Sequence, residues 1–230
     1  MTRTALQIAK DAAVKLGIDQ PSVLFTSTDR TEVELRRALI EACDKITEAH
    51  DWQSLLTSAN QSGDGVKTEY PLPDDYLRMP KSAQIWSTKW EAPLQRIDPE
   101  DWLNFDIREY ELVYGCWTIY GDNVVHKPAL AADEDARFWY ISRNVVSNGT
   151  NRKEVFTADD DTFRLDDRCL ELMLVAQWRK FKSLDYAEEM MDAEIALARA
   201  IERDKGARML VQSSRRNMRA QTAYPWKITP

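Results

Sequence analysis

Few residues of this 230-residue chain fall into patterns that do chemistry. The run Asp159-Asp160-Asp161 offers carboxylate oxygens of the kind a hard divalent cation takes. It lacks the glycine and distal glutamate of an EF-hand loop, and Phe163 follows at once, so a solvated loop is expected. Asp166-Asp167 precedes an apolar helical stretch, where a carboxylate caps a helix rather than forming an acid–base pair. The two histidines, His50 and His126, have no Cys or Ser beside them in a nucleophile motif, and Glu48 with His50 does not have the HExxH spacing. No GxxxxGKS/T or GxGxxG stretch is present, and seven glycines leave little material for phosphate-cradling loops. Cys43, Cys116 and Cys169 are far apart and odd in number, each in an apolar context, which predicts buried free thiols rather than disulfides or a zinc site. The expectation is a non-enzyme with no catalytic residue, no metal ligand and no cofactor.

One segment does ask for a partner: residues 213–230, SSRRNMRAQTAYPWKITP. Residues 203–230 carry seven basic side chains against Asp204 alone, so the other 202 residues hold −13 of the net −7. An acidic body with a basic end reads as a body plus an interaction arm. Arg215, Arg216, Arg219 and Lys227 can meet carboxylates or phosphates, and Tyr224 and Trp226 can fill apolar clefts or stack on bases. A solvated charged tail is the plain reading of composition. Two exposed aromatics at its end argue for something that buries them.

The elements behind this arm follow from periodicity. Leu6, Ala9, Ala13 and Leu16 lie on one helical face, with Gly17 as a stop. Asp29 and Glu32 have the spacing of a capping box for a second helix to about Trp52, with Val33, Leu39, Cys43 and Ile46 inward. From Gln53 to about Phe163, β-branched and aromatic stretches alternate with turn signals. The clearest hairpin there is Cys116–Tyr120 with Val124–His126; Phe138–Val146 reads as a strand and Pro99 as the first position of a short helix. Helices return at Asp166 or Asp167, and again after Asp185. The expected fold is mainly α with a β-rich insertion: 1–52 and 165–212 as a four-helix bundle formed by the two chain ends, 53–164 as the insertion, and 213–230 as an extended C-terminal arm. No run of about 18 apolar residues predicts a membrane span, and Lys10, Asp11 and Lys15 interrupt any signal-type run.

Three stretches carry a resemblance: AHDWQSLL (49–56), YPLPDDYLRM (70–79) and LELMLVAQWRKFKSLDYAEEMMDAEIALARAI (170–201). Together, and in the order of elements along nearly the whole chain, they resemble the head-to-tail adaptors of tailed bacteriophages, especially the tail accessory factors of podovirus-like phages. The resemblance implies a structural virion protein at the head–tail junction, made in the host bacterial cytoplasm. It implies a homo-oligomeric ring, generally of twelve copies, that binds the portal protein and presents a platform to tail or neck proteins. Packaged DNA would pass through the lumen without specific binding, and no membrane is involved. Arg215, Arg216, Arg219, Tyr224, Trp226 and Lys227 would dock on the portal. The alternative is a nucleic-acid-binding module that uses the basic arm.

Overall fold

The computed structural model describes residues 2–81, 83–108 and 112–205. Two helices come first. α1 (Ala5–Leu16) starts in a reciprocal capping box between Thr4 and Gln7 and stops at left-handed Gly17. α2 (Arg30–Ala49) has Asp29 at its N-cap, but that side chain makes no capping bond, so the expected Asp29–Glu32 box is not formed. Val33 stands exposed; Leu35, Ala38, Leu39, Ala42, Cys43 and Ile46 form the buried stripe.

A short 3-10 turn, Gln53–Leu55, leads into the strands. These are β1 (Leu56–Ser62), β2 (Glu69–Pro71), β3 (Tyr76–Arg78), β4 (Trp86–Ser87), β5 (Ala92–Pro93) and β6 (Gln95–Arg96). Helix α3 (Pro99–Ile107) follows, then β7 (Cys116–Tyr120), β8 (Asn123–Lys127), β9 (Asp135–Ser142), β10 (Val146–Asn148), β11 (Asn151–Lys153) and β12 (Thr162–Phe163). The β7–β8 hairpin forms as its turn residues dictate, with Gly121 in the left-handed region. Two helices close the described chain, α4 (Asp167–Phe181) and α5 (Ala187–Asp204).

The strands make three sheets. A five-stranded sheet runs β1-β9-β4-β5, with β3 also on β9; a four-stranded sheet runs β2-β8-β7-β6; a three-stranded sheet runs β11-β10-β12. The five- and four-stranded sheets face each other across Tyr70, Trp117, Val124, Ala136, Phe138 and Tyr140. The far face of the four-stranded sheet is covered by α3 through Ile97, Trp102, Cys116 and Val125.

The mainly α fold with a four-helix bundle from the chain ends is overturned. The described chain is mixed α/β, roughly 38% helical and 23% strand, with five helices, twelve strands and no such bundle. Helix α4 is central and touches α1, α2 and α5, but the core around it is not helical alone. Ile141, Val145, Val146, Phe156 and Phe163 from the strand region complete it. The physical reason lies partly in α5, which fully buries only Ala193 and Ala200. Two small side chains cannot cover the wide apolar face of α4, so strands close the remaining sides. Chain crossings tie these layers together: Thr4 bridges to Thr162, and the Ala5 N–H donates to the Asp161 carbonyl at 2.7 Å.

Candidate functional site

The five-stranded sheet has one face on the core and one that is only half covered. Along β9, Ala136, Phe138 and Tyr140 point inward, as the period of two requires, so Arg137, Trp139 and Ile141 point outward. Ile141 and its partner Leu56 lie beneath the helical layer. One step further along the same face, Trp139 opposite Ser58 is bare, 53% exposed. Arg137 sits between Asn60 on β1 and Trp86 on β4, and Trp86 is 49% exposed. The helices thus end halfway across the sheet.

A groove of about 710 Å3 occupies the step between the two levels. Trp86, Trp139, Leu56, Pro80 and Ala83 make its apolar lining, and Asp51, Gln53 and Arg137 its polar rim. The rim is already paired. Asp51 accepts from Arg78 Nε at 2.8 Å, and Arg137 donates to Asn60 Oδ1 at 3.3 Å and to Asp135 at 3.4 Å. The Gln53 N–H donates to the Asp204 carboxylate at 2.8 Å, so the end of α5 lies at the groove's edge. Exposed Trp flanking a held Arg is the composition of a protein-binding hot spot. Groups that could act on a bound substrate are not concentrated there, since Asp51 is engaged by Arg78 and Arg137 by Asn60 and Asp135.

The residues singled out for chemistry lie elsewhere and serve the fold. The aspartate run is no solvated loop. Asp161 is fully buried, taking Lys153 Nζ at 2.8 Å, the Asn148 amide at 3.1 Å and the N–H groups of Thr157 and Ala158 at 2.7 and 2.9 Å. Burial works to raise its carboxyl, but the Lys153 ammonium and these donors outweigh burial and hold it down at about 2. Asp159 accepts from the N–H groups of Leu24 and Phe25, pinning the loop after α1. Asp166 caps α4 by accepting from the Cys169 N–H at 2.7 Å, as its position predicts.

His126 lies in the interface of the two larger sheets, 1% exposed, with Nε2–H donating to Gln61 Oε1 at 2.9 Å and the Tyr70 ring edge-on at 5.6 Å. Burial pushes its pKa down to about 4, so the imidazole is neutral. His50 stands 3.5 Å from Asp204 at the end of α2. All three cysteines are buried and free, and burial pushes the Cys43 and Cys169 thiols up to about 12. Among the described residues no group of three His, Cys, Asp or Glu is placed to hold a metal ion, and no helix is long and apolar enough to cross a membrane.

The six arm residues, Arg215, Arg216, Arg219, Tyr224, Trp226 and Lys227, lie outside the described residues. The Trp86–Trp139 groove was missed in the sequence. Its signal was the FWY triplet 138–140: in a strand with one buried face, three successive aromatics cannot all point inward. No known protein-family model matches the chain, and comparison with curated proteins finds no match.

Proposed function

We propose that the chain is a structural, non-enzymatic virion protein: a head-to-tail adaptor that joins a closed ring of about twelve copies beneath the portal and offers a platform to tail or neck proteins. The reading rests on the sequence resemblance, and one structural observation carries it further. Two apolar pairs are left bare in the strand-rich region: Leu103 and Ile107, one helical turn apart on α3, and Trp90 with Tyr114, edge-on at 5.8 Å, with Val113 exposed next to Tyr114 in the chain. Paired apolar exposure of this kind is surface that a ring subunit can offer for its neighbour to cover.

In this reading Arg215, Arg216, Arg219 and Lys227 pair with portal carboxylates while Tyr224 and Trp226 enter portal clefts. Burying Trp226 is worth at most about 5 kcal/mol. Ordering ten backbone residues costs about 10 kcal/mol. A single arm therefore holds poorly, and a ring of arms gains about a hundredfold or more through effective concentration. Assembly then waits for the portal. The acidic body would line a lumen through which packaged DNA slides.

The test is a pull-down from infected-cell lysate with the tagged full chain and a truncation ending at Val211, bound proteins being identified by mass spectrometry. Recovery of a portal protein by the full chain alone supports the adaptor. Recovery of nucleic acid instead, with a steep salt dependence lost on deleting 213–230, establishes the nucleic-acid-binding alternative.

A further inference from the structure

We infer that the bare half of the five-stranded sheet seats this chain's own C-terminal segment, with Tyr224-Pro225-Trp226 lying across Trp86 and Trp139. Three observations on different levels converge. The first is the step in the outer face of the sheet: the helical layer covers Leu56 and Ile141 and stops, leaving Trp139, Arg137 and Trp86 uncovered beside a groove of about 710 Å3. That volume is in the range, about 300–1,000 Å3, that accepts a cluster of side chains rather than a solvent molecule.

The second is where the chain goes. Asp204, at the end of α5, takes the N–H of Gln53, and Gln53 lines this same groove. The remaining 25 residues, 206–230, therefore set out from the groove's rim. From Lys205 to Tyr224 the chain can span up to about 60 Å, far more than the seat requires. Tethering makes the encounter intramolecular, at an effective concentration in about the millimolar range.

The third is composition. Residues 206–230 hold Arg208, Arg215, Arg216, Arg219 and Lys227 and no acid, so the first 205 residues carry −12 of the net −7. The segment is thus attracted to the body that precedes it. Its aromatic end matches the lining in kind: a proline between aromatics seats in a Trp-lined groove, and an arginine can stack on an indole face. A segment of the same chain thus offers Tyr224 and Trp226 to the exposed tryptophans of the body. The seat stands independently of the portal reading.

The experiment places photoreactive benzoylphenylalanine at position 223, next to the aromatic cluster, in the full-length protein. Light- and heavy-isotope copies are mixed before irradiation, and the crosslinked peptides are read by mass spectrometry. The expected result is a crosslink to the peptides bearing Trp86 or Trp139, joining light to light and heavy to heavy only. The paired substitution Trp86→Ala with Trp139→Ala should lower its yield at least about tenfold and leave the urea midpoint in place. A crosslink between light and heavy copies would assign the groove to a neighbour's arm and overturn the inference. So would crosslinks confined to other surfaces, or none. None of these outcomes bears on the portal pull-down, which reads a different partner.

Discussion

His126 gives the most direct physical check on the sheet-on-sheet core. Its ring is 1% exposed between β8 and β1, its Nε2–H is used by Gln61, and its Nδ1 has no partner among the described residues. The folded pKa is about 4 against 6.5 for the free side chain. Between these values the unfolded chain binds a proton that the folded chain refuses, so stability rises with pH across the window. It is fully present above about pH 6.5 and is lost as pH falls towards 4. The difference of 2.5 corresponds to about 3 kcal/mol. Buried carboxylates also titrate in acid, so the measurement is a difference. Urea unfolding, followed by tryptophan fluorescence, would be run on the native chain and on His126→Gln from pH 7.5 to 4. The advantage of the native chain over the variant should shrink by about 3 kcal/mol over that range. If the gap stays constant within about 0.5 kcal/mol, burial does not hold this imidazole neutral, and the packing assigned to the two sheets is wrong.

Three further perturbations separate the layers. Asp161→Asn removes the charge that holds Lys153 and leaves its N–H donors with a weaker acceptor, so it should cost about 2–3 kcal/mol in urea unfolding. Gly63→Ala would set a Cβ 2.1 Å from the Ala131 carbonyl oxygen, a backbone atom that cannot swing away; a loss of about 2 kcal/mol or more is expected from the thermal midpoint. On β9, Phe138→Ala should cost about 3–5 kcal/mol, because it opens a hole between the sheets. Its neighbour Trp139→Ala, on the outer face, should change stability by no more than about 0.5 kcal/mol, and equal losses at both positions would contradict the assigned faces.

Much of the local structure was legible from residue types. Gly17 ends α1, Asp166 caps α4, Pro99 opens α3, and Gly121 turns the β7–β8 hairpin. These signals act within four or five residues, where backbone geometry and capping chemistry decide the outcome. The same kind of reading went astray where a pattern permits more than one partner. Asp29 and Glu32 have capping-box spacing, yet no capping bond forms. The run Asp159–Asp161 is polar enough for a solvated loop, but Lys153, more than five residues away in sequence, draws Asp161 inside.

By itself the sequence determined that the chain has helices at both ends, strands between them, three inert thiols and a basic, aromatic finish. Tertiary structure alone decided how those helices are used. An apolar stripe states that a helix must bury a face without naming what will cover it. Here α5 brings only Ala193 and Ala200 fully inside, so Val146 and Phe163 complete the core that helices were expected to close. The same shortfall leaves Trp86 and Trp139 bare, because the sheet extends farther than the helical layer that covers it.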